Sequence, residues 1–405
     1  MHMTTGEVIR RIRKSLGMTQ SELGAVLGYT QPAISQLEHD GAAVHDVRVL
    51  RRVAKALQVP LAILVVESNE EADVNRRNFL RTGAIGAGAT VGAGAMQRTN
   101  TEVSAAGAGR IGAADIAEIQ RSVSQLHELD LIVGGDRLCY LAAGQTRYVQ
   151  QLLDGGSYSD DAGRVLASTA AEMMTAAGWV HYEAGHLDQA RRYYADAAQA
   201  ATTADDGIAG SHALLNAGVL NYQEKARHRE GIHLVEAAQS AASRRGGPRL
   251  RALGAIREAE ASGAAGDRAA MTKAINRAYH AYESGHGYDP GWVFLPPAEL
   301  HGLTGMAYMQ VGDHRRATSH LQTAIDESVS WPRERAHWRI RSAENLVKAG
   351  EIAEGCSMLT TNFHEFDGLT STRLWWALGS IERAVRPHLG VPEVREFLGM
   401  VAEKV

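Results

Sequence analysis

The chain has 405 residues, 45% of them apolar and 22% charged, and a net charge of −4. This length suggests two to four domains of ordinary size, and the composition excludes a fully disordered chain and a bundle of membrane helices. No run of about 18 strongly apolar residues is present to span a bilayer. The two cysteines, Cys139 and Cys356, cannot build a disulfide framework or a zinc finger; they read as small buried hydrophobes in a reducing cytoplasm. Residues 1–66 hold eight basic and five acidic residues, a balance of +3, and the rest of the chain carries −7. A basic end on an acidic body is the asymmetry expected if only that end meets a polyanion.

The first 66 residues read as five short helices. Thr5 is placed to cap the first, whose apolar positions Val8, Ile9, Ile12 and Leu16 recur at helical spacing before Gly17 stops it. Thr19, with Glu22 three residues on, is a capping box opening the second helix. Leu23, Val26 and Leu27 form its buried stripe, and Gly28 ends it. Thr30 caps a third helix with Pro32 in its first turn and Ile34 and Leu37 pointing inward. A fourth helix carries Val47, Leu50, Val53, Ala54 and Leu57, and Pro60 opens a last short one with Leu61, Ile63 and Leu64. Helices two and three, joined by a short glycine-containing turn, make a helix-turn-helix, a unit whose second helix lies in the DNA major groove.

The run Met18-Thr-Gln-Ser-Glu-Leu-Gly-Ala-Val-Leu-Gly-Tyr-Thr-Gln-Pro-Ala-Ile-Ser-Gln-Leu-Glu38 resembles the lambda-repressor-like (XRE/Cro) helix-turn-helix family, and Val53-Ala-Lys-Ala-Leu-Gln-Val-Pro-Leu61 matches that family's fourth and fifth helices. The resemblance implies that Gln20 contacts the phosphate backbone and buttresses helix three. It places Thr30, Gln31, Ala33, Ser35 and Gln36 at the groove-facing side, where glutamine pairs bidentately with adenine and serine pairs with several bases. Arg10, Arg13 and Lys14 are candidate phosphate contacts, and Glu38 is a structural residue at the helix end. His39-Asp40-Gly41 replaces the basic residue that often follows in the family.

The next segment changes character. Arg76-Arg77, Phe79-Leu80 and a Gly/Ala-rich stretch ending at Ala95 have the look of a twin-arginine export signal. It lies behind a DNA-binding head, however, and glycine weakens helices, so residues 68–110 read as a linker. Arg76, Arg77 and Arg81 are then near enough to touch phosphate beside the head. Export is the minority reading of this segment.

From Ile111 the chain is alanine-rich and helical. Gly178, Gly185, Ala190, Tyr194 and Ala197 stand at offsets 0, 7, 12, 16 and 19, and Gly305, Gly312, Ala317, Leu321 and Ala324 repeat those offsets. A third copy has Ala343, Leu346, Gly350, Gly355 and Leu359; a looser one has Tyr222, Gly231, Val235 and Ala238; a degenerate one surrounds Ala270 and Ala274. Small residues at offsets 0 and 12 let two antiparallel helices approach, the large residue at 16 fills the space, and the glycine at 7 turns the chain. The spacing resembles the tetratricopeptide repeat. Units start near 171, 212, 251, 298 and 336, a loop covers Gly285–Pro297, and capping helices cover Leu374–Met400. Stacked repeats present a concave face made by their first helices. By register, Thr175, Trp179, Tyr182, Glu183, Asn216, Gln223, Met306, Met309 and Gln310 are candidate groove residues, suited to a peptide or an amphipathic small molecule.

Together these features predict an all-α chain in three parts: a helix-turn-helix DNA-binding domain over 1–67, a Gly/Ala-rich linker over 68–110, and a repeat solenoid over 111–405. The pairing is similar to actinobacterial regulators. That resemblance implies a cytoplasmic, nucleoid-associated homodimer that reads an operator in double-stranded DNA and binds a peptide, small-molecule or protein signal in the repeat groove. The rival reading is a protein-interaction scaffold with a vestigial head. No Walker loop, HExxH, GxSxG or CxxC motif is present to suggest an enzyme, and no cofactor is expected. His280, His286 and Asp289 match no metal-ligand spacing and read as a solvated loop.

Overall fold

The computed structural model describes residues 4–64, 111–133, 135–242, 245–285, 287–366 and 371–403. The linker with its twin-arginine-like segment, including Arg76, Arg77 and Arg81, lies outside the described residues, as does His286. Among the described residues all regular structure is helical. The chain divides into two compact units, His2–Gly163 and Arg164–Val405.

In the first unit, α1 (Thr5–Ser15), α2 (Gln20–Leu27), α3 (Gln31–Glu38) and α4 (Val47–Ala56) surround a core of Val8, Ile9, Leu23, Ile34, Leu37, Val53 and Leu57. The N-cap of α1 is Thr4, not Thr5. Thr4 and Glu7 form the capping box, while the Thr5 hydroxyl donates to the Leu64 carbonyl at 3.0 Å. The Thr19–Glu22 box opens α2, and Gly28 ends it at φ 70°. Val26 is 62% exposed rather than part of the buried stripe. The inward place beside Leu23 and Leu27 belongs to Gly24, where a Cβ would meet the Tyr29 carbonyl oxygen at 2.6 Å. The turn after α2 can therefore fold tightly against its own helix. The fifth helix is a single 3-10 turn, Leu61–Ile63.

Two long helices, α5 (Ala113–Val133) and α6 (Gly135–Gly155), complete this unit. α5 lies against α1, and α6 lies against the 3-10 turn. Gln125 donates to the Gln58 carbonyl at 3.3 Å and Arg137 to the Ile63 carbonyl at 3.2 Å. Burial pushes the Arg137 guanidinium down to about 10, against the charges of Asp40 and Glu7. Residues 111–163 thus cluster with the head, whereas the sequence groups them with the repeats.

The second unit is a solenoid of antiparallel hairpins. They are α7 (Asp160–Glu183) with α8 (Leu187–Ala204), α9 (Gly207–Tyr222) with α10 (His228–Ala242), α11 (Pro248–Ala264) with α12 (Arg268–Glu283), α13 (Pro297–Gln310) with α14 (His314–Glu327), and α15 (Pro332–Ala349) with α16 (Ile352–Thr361). The short α17 (Phe363–Phe366), α18 (Thr372–Val385) and α19 (Pro392–Ala402) close the end. The first helices α9, α11, α13 and α15 pack on one another in sequence, so they share one face.

The offsets read from the sequence have a physical basis. Gly185, Gly312 and Gly350 have φ of 83°, 74° and 93°, a left-handed turn that strains any residue with a Cβ. Gly266, at φ 81°, takes the same place between α11 and α12. This identifies the degenerate copy as Ala259, Gly266, Met271, Ile275 and Ala278, all buried except the turn glycine. Met271 stands where the other copies have a small residue, which hid it. The looser copy differs in its turn, a 3-10 segment Lys225–Arg227. In the 285–295 loop, Asp289 accepts the backbone N–H groups of Arg249 and Leu250 at 3.0 and 2.9 Å, so it caps α11 instead of standing in solvent.

Close approach at offset 0 yields a test. A Cβ on Gly178 would lie 2.5 Å from the ring of Tyr194, itself 1% exposed, whereas nothing lies within 4 Å of a Cβ on Gly144 of α6. Helix propensity favours alanine at both positions by about 1 kcal/mol, but overpacking costs about 1–3 kcal/mol. Gly144→Ala is expected to raise Tm and Gly178→Ala to lower it, with Tyr194→Leu restoring part of the loss. Thermal unfolding followed by circular dichroism measures all three.

Candidate functional site

The helix-turn-helix is held by one buried ion pair. Arg13 at the end of α1 donates Nε and Nη2 to the two carboxylate oxygens of Glu38 at the end of α3, the second bond at 3.0 Å. The Glu38 side chain is fully buried, and that of Arg13 is nearly so. Gln20 donates to Glu38 at 2.8 Å and accepts from Gln31. A single chain of polar contacts therefore runs from α1 through the first residue of α2 to both ends of α3. Donation to Glu38 holds the Arg13 guanidinium above its ordinary value. Burial alone would raise the Glu38 carboxyl, but hydrogen bonds from Arg13 and Gln20 and the charges of Arg13 and Arg10 outweigh it and hold it below the usual carboxylate range.

This accounts for Arg13 as a frame residue and corrects the expectation of a phosphate contact: its donors are turned inward to Glu38 and the Met18 carbonyl. Arg10 and Lys14, on the same helix, are exposed. On α3, Gln31 and Gln36 are exposed, as is Thr30 before it, while Ala33 and Ser35 are partly buried. Gln20 is partly buried, with its amide engaged on both sides. Arg52 was not singled out from the sequence. It donates to the Tyr29 hydroxyl at 3.2 Å and to the Leu27 carbonyl, and its guanidinium stands 5.0 Å from the centroid of the Tyr29 ring. It ties α4 to the end of α2, and its signal was only a basic residue on a helix that already held several.

The inner face of the solenoid carries the second constellation. Tyr182 donates to Gln223 at 3.0 Å, its ring centroid is 5.4 Å from that of Trp179, and Glu183 is buried beside it. Four of the candidate groove residues are thus adjacent. Thr175 and Met309 are not groove surfaces. Thr175 is fully buried with its hydroxyl bonded to the Ala171 carbonyl, and Met309 belongs to the apolar core between α11 and α15. Asn216 bonds its own helix at the His212 carbonyl, Met306 packs on that core, and Gln310 is exposed.

Apart from Glu183, the sequence did not single out the charged groups around this face. Arg257 donates to Glu260 at 2.7 Å, and the Tyr222 hydroxyl donates to the same carboxylate at 2.9 Å. Arg373 of α18 donates to Glu183 at 2.7 Å, and Arg333 to Glu334 at 3.3 Å. Glu183 is held below the usual range because Arg373, Arg333 and the Ser371 hydroxyl outweigh its burial. Burial, then the charges of Arg373 and Arg341, keep His337 neutral well below the ordinary imidazole range. The Glu299 carboxyl makes no hydrogen bond among the described residues, although its backbone N–H donates to the Pro296 carbonyl at 3.0 Å. Burial and the nearby Glu334 push its carboxyl up to about 8, against Arg257 and Arg373.

Two predictions follow from these electrostatics. Because Glu38 binds its proton less readily in the fold than in the open chain, its stabilisation is complete above the ordinary carboxylate range and is lost as pH falls through the lowered value. Arg13→Ala leaves a buried carboxylate unpaired and should cost about 3–5 kcal/mol; Glu38→Gln should cost less and reduce the acid sensitivity, as acid titration of helicity will show. Glu299 has the opposite sign. Its proton is taken up on folding between the ordinary value of 4.5 and about 8, so stability falls as pH rises through that window. Glu299→Gln should flatten Tm against pH over this range and raise Tm at pH 8.

Comparison with known families finds a helix-turn-helix model matching residues 9–64. No curated protein matches the chain. The matched segment begins within α1 and ends after the 3-10 turn, so it takes in both arms of the Arg13–Glu38 frame and the whole of α3. The head, residues 9–64, is therefore similar to the helix-turn-helix family, which supports reading it as DNA-binding.

Proposed function

We propose that the protein is a sequence-specific transcriptional regulator whose α3 reads base edges in the major groove and whose solenoid, built of tetratricopeptide-like repeats, dimerises the chain and binds a signal. The observation that carries this reading is the exposed polar face of α3, with Gln31 and Gln36 free of the core, on a helix fixed at both ends by the Arg13–Glu38–Gln20–Gln31 chain. Gln31, Gln36 and Ser35 suit base edges, and Thr30 and Ala33 border them. Arg10 and Lys14 suit phosphate, which positions the head without reading sequence. Gln20 serves by holding Gln31. A homodimer places two such helices on half-sites about one helical turn apart, and a signal on the inner face acts by binding one arrangement of the dimer better than another.

No helix among the described residues is long and apolar enough to cross a membrane, and the reading places the protein with DNA in the cytoplasm. It assigns the chain no chemical step.

DNA enriched by the protein from a random library provides the probe. Gln31→Ala with Gln36→Ala should remove the preference for enriched over scrambled DNA in electrophoretic shift, while non-specific binding remains. Arg10→Ala and Lys14→Ala should weaken binding to both DNAs and lower the slope of log affinity against log salt by about 1 each. A double glutamine variant that still discriminates enriched DNA would remove α3 from the mechanism. Light scattering of the eluted protein tests the dimer.

A further inference from the structure

Three arginines of α11 and α15 are paired close in sequence. Arg257 binds Glu260 three residues on, Arg341 binds Glu344 three residues on, and Arg333 binds its neighbour Glu334. Arg373 is different. It enters from the start of α18 and meets groups from α7, at the opposite end of the solenoid, and from α15. Its Nε donates to Glu183 at 2.7 Å, its Nη2 lies 3.9 Å from Glu334, its central carbon stands 5.8 Å from the centroid of the Trp179 ring, and its Nη1 lies 3.3 Å from His337 Nδ1. Ser371 donates to the other oxygen of Glu183 at 2.6 Å. The Glu183 side chain has no exposed surface.

Two carboxylates in reach of separate guanidinium nitrogens, an aromatic face and a neutral imidazole are the elements that recognise a planar cation. An ammonium would gain the charge attraction and lose the fork. We propose that Glu183, Glu334, Trp179 and His337 form a guanidinium-binding site on the inner face of the solenoid, and that Arg373 is its tethered internal occupant, which an arginine-like group of the signal displaces. The site stands on its own geometry; the term signal rests on the regulator reading above. The tie is broader than one ion pair. A Cβ on Gly185, just after α7, would meet Thr372 and Trp376 of α18 at 2.8 Å, so α18 is seated there as well. Withdrawal of Arg373 therefore loosens the start of α18, which the Ser371 bond and the packing at Gly185 still hold. An external group competes with a partner that is always at hand, so its apparent affinity for the intact chain falls by the fraction of time the site is vacant.

The test is chemical rescue of the full chain. Arg373→Ala leaves Glu183 buried without its cation and should lower Tm. Low-millimolar N-ethylguanidinium should restore part of that loss saturably. Ethylammonium at equal ionic strength should not, and neither salt should raise the Tm of the unaltered chain. Tryptophan fluorescence should report N-ethylguanidinium binding to Arg373→Ala about tenfold or more tighter than to the unaltered chain. Glu183→Gln added to Arg373→Ala should abolish the rescue. If Arg373→Ala does not accumulate, Arg373→Lys keeps a cation, and the same guanidinium-over-ammonium difference is expected of it. Equal effects of the two salts, or rescue that survives Glu183→Gln, overturns the site. Electrophoretic shift separates this outcome from the regulator reading: rescue without any change in DNA binding on mutation of Arg373 keeps the site and removes its coupling to DNA. Unchanged DNA discrimination in the Gln31/Gln36 variant removes the regulator reading and leaves the site.

Discussion

The buried pair between Arg13 and Glu38 is the contact on which the geometry of the head depends. α3 is eight residues long, and an isolated helix of that length is barely stable in water. Ile34 and Leu37 bury one side of it, but apolar contact is non-directional and does not fix rotation about the helix axis. Glu38 does, because its carboxylate must meet both Arg13 donors and the Gln20 amide together. Replacing such a pair with well-packed apolar groups is often neutral for stability, whereas removing one partner is severe. The pair is thus better understood as a device for orientation, with Gln20 passing its constraint on to Gln31 at the other end of the helix.

The solenoid rests on a different constraint, the distance between paired helices. Where Gly178 faces Tyr194 and Gly305 faces Leu321, a single added carbon would stand 2.5 and 2.7 Å from its neighbour. Small residues on one helix receive large ones from the other, and alanines at 190, 197, 317 and 324 are fully buried between them. Close packing of this kind leaves few cavities and responds to every methylene. The spacing of small residues therefore recurs from copy to copy, except where Met271 takes the place of one.

That recurrence explains what was legible. The capping box at Thr19, the stop at Gly28 and the glycine turns at 185, 312 and 350 are local requirements, visible because each needs one residue type at one offset. The first N-cap was misplaced by one residue because Thr4 and Thr5 are both capable, and only the placement of Glu7 decides between them. Val26 was misassigned because periodicity alone does not tell which of two adjacent faces a short helix turns inward. The role of Arg13 was hidden for another reason. A cation on a basic helix has the same appearance in sequence whether it faces phosphate or a carboxylate 25 residues away. Arg373 was less legible still, since its partner Glu183 lies 190 residues upstream and no local pattern records the curl that joins them.

The inner face shows how such a curl is specified. Arg257, Arg333 and Arg373 stand among Glu183, Glu260, Glu299 and Glu334, three cations among four carboxyls. Charges in a low-dielectric setting must be paired or neutralised. Three carboxylates find guanidinium partners, and the fourth, Glu299, is neutralised by its raised affinity for a proton. An apolar face would close in many registers with similar energy, whereas an ionic one tolerates only the arrangement that satisfies each group. The pairing of Glu183 with Arg373 therefore fixes how far the hairpins curl, because any smaller or greater curl strands a buried carboxylate. The same requirement makes the Arg373 contact the charged part of the seating of α18, beside the Ser371 bond and the packing at Gly185.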